Sequence, residues 1–226
     1  MRTVFITGAG RGIGLELATQ YLQDNWRVIA TARDASLALK TLQAAWPDQL
    51  RVVLLDVTDW PAVAALGQTL SAERIDLVIN NAGYYGGNRQ ELGHTDVETW
   101  LNTLAIDTIA PVKVVEALLP RLSADAKIAS LSSKMGSIAD NHSGAAYHYR
   151  SAKAGLNAAM KSLALDLGKR HTVLVFHPGW VQTDMGGPGA LVSPEESVAG
   201  IRRVIHQATP GDSGRFYNYD GSPLPW

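Results

Sequence analysis

The sequence predicts a three-layer α/β/α fold: one doubly wound parallel β-sheet with helices on both faces. Three observations lead there. Short, near-continuous apolar runs alternate with longer segments of helical period, which is how strands buried on both faces and joined by helical crossovers read. The 226 residues have the length of one domain with one sizeable core, so 1–226 is taken as a single unit. A glycine-rich turn follows the first apolar run directly, as a tight strand-to-helix connection requires.

In chain order, the strands are expected at 4–7, 28–31, 52–55, 77–79, 128–131 and 173–176. Helices are expected at about 12–23, 36–45, 60–71, 96–121, 149–168 and 195–207. Two helix starts carry capping boxes, Thr95 with Glu98 and Ser193 with Glu196, and Pro194 holds the first helical position of the second. Pro and Gly concentrate at 83–93 and 178–189, which read as functional loops inside the domain. There are no repeats, low-complexity tracts or linkers.

Composition narrows the function classes. The hydrophobic fraction of 46% and charged fraction of 18% are ordinary for a globular chain. A net charge of -1 gives no broad electrostatic footprint for nucleic acid or an anionic membrane. Cysteine is absent, which excludes a disulfide framework, a thiolate metal site and a cysteine nucleophile. The six histidines show no ligand spacing, so no metal is expected. The first residues run straight into the glycine turn, leaving no room for a signal peptide, and no apolar run approaches the ~20 residues of a membrane span. A soluble, cytoplasmic protein is expected.

The turn Thr7-Gly8-Ala9-Gly10-Arg11-Gly12-Ile13-Gly14 can cradle a dinucleotide. Gly8 allows the tight turn, Gly12 lets backbone approach a pyrophosphate, and Gly14 allows close helix–strand packing. The following helix offers free N–H groups and a partial positive charge to phosphates. The plainer reading is a tight turn that binds nothing. At the end of the second strand, where an NAD site usually places an acidic residue, stands Ala32 followed by Arg33, with Arg11 in the glycine turn. Two guanidinium groups suit a 2′-phosphate, so NADP is expected and NAD is the less favoured cofactor. Asp34 serves an NAD ribose if the strand ends one residue later.

Tyr149 and Lys153 share a helix face at i, i+4 spacing. A neighbouring ammonium lowers a phenol whose unperturbed pKa is near ~10, bringing it toward acid–base work at neutral pH. By itself this spacing is weak. Its company gives it weight: the 7–14 turn, Asn80-Asn81-Ala82-Gly83 after the fourth strand, Ser132-Ser133 after the fifth, then Tyr149 and Lys153, then Pro178-Gly179 after the sixth. In this order and spacing the chain resembles the short-chain dehydrogenase/reductase family over nearly its whole length. Segments 133–141, 147–157 and 178–187, with Asp220-Gly221 and Pro225-Trp226 near the end, resemble its C-factor and Sniffer-type carbonyl reductase branch.

The resemblance implies a Rossmann-type domain that transfers hydride between NADP(H) and a small carbonyl or alcohol substrate. It implies Tyr149 as general acid, Lys153 as its tuner and a ligand of the nicotinamide ribose, and Ser133 as a second hydrogen-bond partner of the carbonyl oxygen. On the cofactor side it implies Gly8, Arg11, Gly12, Ile13, Gly14 and Arg33, and Asp56 and Val57 at the adenine. Asn81, Ala82 and Gly83 lie along the ribose and nicotinamide, and Pro178, Val181 and Thr183 lie at the carboxamide end. Without the family pattern, the serines would read as strand-end caps and the asparagines as turn residues.

Two departures stand out. Asp107 occupies the position where the family usually keeps an Asn that relays protons through water to the lysine. An ionised Asp accepts hydrogen bonds but donates none, so pairing with Lys153 and raising the phenol's pKa are both open. Ser133 precedes Tyr149 by a longer gap than in many members, which leaves Ser137 as a rival. Tyr84, Tyr85 and Trp180 form either an apolar substrate wall or loop packing. His142 and His148 flank the catalytic loop and are read as surface or packing residues. Nothing identifies the substrate, and assembly as a homodimer or homotetramer is left open. The alternative to an enzyme is a dinucleotide-binding regulatory or C-factor-like signalling protein with vestigial chemistry.

Overall fold

The computed structural model describes residues 1–168 and 170–226. Their seven strands are β1 (Thr3–Ile6), β2 (Arg27–Ala32), β3 (Leu50–Leu54), β4 (Ile75–Asn80), β5 (Leu122–Leu131), β6 (Thr172–His177) and β7 (Arg215–Asn218). All pair in parallel, in the order β3-β2-β1-β4-β5-β6-β7. The helices are α1 (Gly12–Gln23), α2 (Leu37–Ala45), α3 (Trp60–Ala64), α4 (Leu66–Thr69), α5 (Val97–Leu104), α6 (Ala110–Leu118), α7 (Tyr147–Leu167) and α8 (Pro194–Gln207).

Alternation along the strands divides the apolar residues between two cores. Val4, Ile6, Val28 and Ala30 face one core, closed by Leu17 and Leu22 of α1, Leu39 of α2 and Ile201 of α8. Phe5, Ile29, Val78 and Ile128 face the other, closed by Val63 of α3, Val114 and Leu118 of α6, and Leu156 and Met160 of α7. Each fully buried Leu, Ile, Val or Phe contributes about 1.5–3 kcal/mol, so the near-continuous apolar runs are what a sheet covered on both faces requires. The strand order reverses between β1 and β4. Such a reversal opens a crevice at the carboxyl ends of the strands.

The structure corrects four expectations about elements. A seventh strand, β7, lies on the edge beyond β6; its Arg-Phe-Tyr-Asn sequence has no continuous apolar run to mark it. The helix expected at 96–121 is interrupted by a wide π-helical turn over Ala105–Ile109, and it ends in a 3-10 turn containing Pro120. The helix expected at 60–71 divides into α3 and α4. The cap of α5 is Asp96, whose side chain accepts the Thr99 N–H, rather than Thr95. At α8 the cap stands where expected, with Ser193 accepting the Glu196 N–H at 3.1 Å, while the Glu196 carboxylate accepts from the Tyr219 hydroxyl. Among the described residues no helix is long and apolar enough to cross a membrane.

Candidate active site

The glycine turn fills the crevice between β1 and β4. Gly8 and Gly12 have φ of 68° and 52°, the left-handed region that glycine enters without a Cβ penalty. A Cβ on Gly14 would lie 2.2 Å from the Gly8 carbonyl oxygen and 2.5 Å from the Asn81 amide nitrogen, so only glycine fits there. Asn81 ties the turn to β4: its amide donates to the carbonyls of Thr7 (2.9 Å) and Gly8 (3.0 Å). The Thr7 hydroxyl accepts the N–H groups of Asn81 and Ala82, each at 3.0 Å. The Asn81 side chain is therefore a brace for the turn, the role turn chemistry assigns to it.

No side chain caps α1, so N–H groups of its first turn stay available to an anion at the crevice. Ile13 packs beside the first core. Arg11 is exposed and pairs with Asp184 at 3.2 Å, and the Gly12 Cβ position lies 3.2 Å from the Thr183 methyl. The turn thus meets the segment after β6. There Val181 is buried, Thr183 accepts the Gly186 N–H at 3.2 Å, and the Pro178 carbonyl accepts from Ser197 at 2.5 Å. An open hollow of about 610 Å³ is lined by Gln182, Thr183, Asp184, Gly187 and Pro188.

On the other side of the crevice β2 ends at Ala32, so Asp34 lies outside the strand and Arg33 projects, exposed, beyond its last residue. The carboxyl of Asp56 is held below the usual range, chiefly by the Thr58 hydroxyl and N–H and in small part by the charge of Arg33. The Val57 side chain belongs to the second core.

At the carboxyl ends of β4 and β5 the structure brings Asp107, Ser133, Tyr149 and Lys153 together. All four are buried. Lys153 Nζ donates to the Leu131 carbonyl at 3.0 Å, stands 3.4 Å from Asp107 Oδ2, and lies 5.6 Å from the centre of the Tyr149 ring. Asp107 sits in the π-helical turn, and its Oδ1 accepts the Tyr84 N–H at 2.8 Å. Its Oδ2 is close enough to the ammonium for an ion pair but accepts no hydrogen bond. Gly83 leaves room for the pair: a Cβ there would lie 3.4 Å from Asp107 Oδ1 and 3.5 Å from Lys153 Nζ.

The environment sets the protonation of these groups. Burial pushes the Tyr149 phenol up, and the Asp107 charge adds to it, while a hydrogen bond from Ser133 works in the opposite sense. Burial also raises the Asp107 carboxyl, against the pull of Lys153 and the Tyr84 N–H. The i, i+4 spacing with Lys153 predicts a lowered phenol; in the structure burial and the carboxylate set the opposite direction. Ser137 is committed elsewhere, donating to the Trp226 backbone oxygen and accepting the Asp140 N–H.

Of the aromatic residues, Tyr85 lies against Tyr149 with ring centres 4.9 Å apart and planes tilted by 46°, and exposed Trp180 donates to the Gly186 carbonyl at 2.8 Å. His142 is exposed. His148 is buried: its Nε2 accepts the Asp96 N–H, so Nδ1 carries the proton given to the Gly86 carbonyl. Sequence reasoning passed over Gln90, which is buried and accepts the Tyr149 N–H at 2.9 Å; no motif marks a lone glutamine in a loop. Among the described residues no cluster of three or more His, Cys, Asp or Glu side chains could hold a metal.

Residues 2–190 match the family described as short chain dehydrogenase. The C-signal protein of Myxococcus xanthus is 44% identical over 155 residues, spanning 67% of this chain and 93% of that protein. The carbonyl reductase Sniffer of D. melanogaster superposes with a TM-score of 0.91 at 31% identity, over 100% of both chains. An NADPH-bound carbonyl reductase from chicken fatty liver does so with a TM-score of 0.90 at 33% identity, over 100% of this chain and 99% of that one. The parallel sheet, the glycine turn at its reversal point and the match over most of the length lead to one conclusion: the chain belongs to the short chain dehydrogenase family of oxidoreductases, in its C-factor and Sniffer branch.

Proposed function

We propose that this protein reduces a small carbonyl compound with NADPH, with Tyr149 as the proton donor. The observation that carries this reading is the buried cluster in which Lys153 Nζ lies between Asp107 Oδ2, at 3.4 Å, and the Tyr149 ring. The crevice fits a dinucleotide: the uncapped start of α1 suits a pyrophosphate, and a Cβ at Gly14 would close the turn. Arg33 beyond β2 suits a 2′-phosphate, and the NADPH-bound chicken reductase supports the same choice. Gly8, Gly12, Gly14 and Ile13 would hold the pyrophosphate, Arg33 with Arg11 the ribose phosphate, and Asp56 with Val57 the adenine. Gly83, Lys153, Pro178, Val181 and Thr183 would hold the nicotinamide end.

A nicotinamide held there would supply the hydride for the carbonyl carbon. Tyr149, kept protonated by burial and by the Asp107 charge, gives its phenolic proton to the carbonyl oxygen as charge develops there. Ser133 hydrogen-bonds the same oxygen and, after transfer, the tyrosinate. The Lys153 ammonium stabilises that tyrosinate, and Asp107 holds the ammonium in place. Raised above its ordinary value, the phenol is in its protonated form at neutral pH, the state from which reduction starts.

The test pairs NADPH fluorescence titration with turnover of phenanthrenequinone and a nitrobenzaldehyde. Tyr149→Phe keeps the ring on Tyr85 and removes only the acid. It should bind NADPH as the wild type does and lose about 10²–10⁴-fold in turnover. A loss below about tenfold contradicts the assignment. A second reading has its own observations, the likeness to a protein named C-signal and the carboxylate that raises the phenol: a dinucleotide-binding signalling protein. Tight NADPH binding with no turnover across a carbonyl panel selects that one.

A further inference from the structure

The catalytic helix begins in an unusual way. Its cap position, Ala146, is left-handed, as is Ala145 before it, and no side chain of that segment caps the helix. Non-glycine residues hold this conformation only where the surroundings impose it. Two of the free N–H groups of the first turn go instead to Gln90, far away in sequence. Its backbone carbonyl accepts the Tyr147 N–H at 3.1 Å, and its side-chain Oε1 accepts the Tyr149 N–H at 2.9 Å.

The other end of the same side chain holds the loop after Gly83. Gln90 Nε2 donates to the Tyr85 carbonyl at 2.6 Å and to the Gly87 carbonyl at 2.9 Å. One buried amide therefore grips the backbone of both Tyr85 and Tyr149, the two residues whose rings lie 4.9 Å apart. His148 adds a second tie between the same loop and helix, through the Gly86 carbonyl. All polar capacity of the Gln90 amide but one lone pair is used, so the arrangement is specified rather than incidental.

We infer that Gln90 is a positioning residue: it caps α7 from outside the helix and fixes the Tyr85 wall against the reactive phenol, so that loop and phenol move as one unit. This rests on the reading of Tyr149 as proton donor. The consequence is that the substrate-side loop cannot shift without moving the acid, which ties the shape of the substrate to the efficiency of proton transfer.

The test uses the full chain with Gln90→Leu, Gln90→Glu and Tyr149→Phe. In Gln90→Leu, amide hydrogen exchange at Tyr149 should quicken about tenfold or more as its acceptor is lost. The kcat for phenanthrenequinone should fall by a similar factor, with NADPH affinity unchanged within about twofold. Gln90→Glu keeps the acceptor for Tyr149 and loses the grip on Tyr85, so Tyr149 amide protection should stay while kcat/KM falls. Should Gln90→Leu fail to fold, Gln90→Glu carries the test. Unchanged Tyr149 protection in Gln90→Leu, or unchanged kcat and KM in a folded Gln90 variant while Tyr149→Phe is inactive, overturns the inference. An active Tyr149→Phe instead overturns the proton-donor reading, and the exchange measurement still decides the cap.

Discussion

Replacing Asp107 by Asn removes one charge from the buried cluster, and with it the ion pair to Lys153. Oδ1 keeps the Tyr84 N–H, and the size of the side chain is unchanged. Oδ2 stands 3.4 Å from Lys153 Nζ, and Nζ stands 5.6 Å from the Tyr149 ring centre, so the carboxylate lies within about 9 Å of the phenol ring. At an effective dielectric constant of about 20, two unit charges at that separation repel by roughly 2 kcal/mol. That corresponds to more than tenfold in tyrosinate population at fixed pH, since about 1.4 kcal/mol is a factor of ten. The Asp107 charge raises the phenol, so its removal lowers it. Alcohol oxidation needs the tyrosinate, and its rising limb should therefore move to lower pH by about one unit or more, with the whole cluster titrating as a coupled system. The assay is the pH dependence of kcat for oxidation, with NADPH affinity as a control that stays level. A variant profile that superimposes on the wild type refutes the coupling between Asp107 and Tyr149.

Three further outcomes can be checked on the same material. Arg33→Asp should reverse a preference for NADPH over NADH, and the wild-type preference should shrink with salt because the contacts are charged and exposed; tighter NADH binding by the wild type at low salt contradicts this. Gly14→Ala forces a Cβ into the space 2.2 Å from the Gly8 oxygen, costs at least about 1–3 kcal/mol, and should lower Tm by several degrees; an unchanged Tm means the turn relaxes freely. The folded Asp107 carboxyl is raised, so its contribution to stability is present below the unfolded carboxylate pKa and lost as pH rises through the folded value. Asp107→Asn should therefore gain on the wild type in thermal denaturation as pH rises from about 4 toward neutrality, and a flat difference argues against the raised carboxyl.

How much of this could be read from the chain depends on the range of the interactions involved. The five interior strands announce themselves because a strand buried on both faces has to be apolar at nearly every position, as at Val4, Phe5 and Ile6, and the edge strand β3 does so through Val52, Val53 and Leu54. The edge strand β7 escapes because it has only four residues, and its two buried ones, Phe216 and Tyr217, are flanked by Arg215 and Asn218. The break in the helix after Asp96 escapes as well. The π-helical turn at Ala105–Ile109 places Asp107 against Lys153 and Tyr84, and helical periodicity carries no trace of that.

The sequence alone determined the fold class, the glycine turn and the pairing of Tyr149 with Lys153, because each depends on local periodicity, on backbone conformations open to glycine, or on neighbours one helical turn apart. Only the tertiary structure decided the electrical state of the site and the mounting of its helix. The phenol is raised because burial and Asp107 outweigh the hydrogen bond from Ser133, and that balance depends on distances between residues from three separate elements. Gln90 reaches Tyr149 across 59 positions of chain. Such a contact leaves no periodicity to read, since its partners become neighbours only when β4, β5 and α7 have assembled.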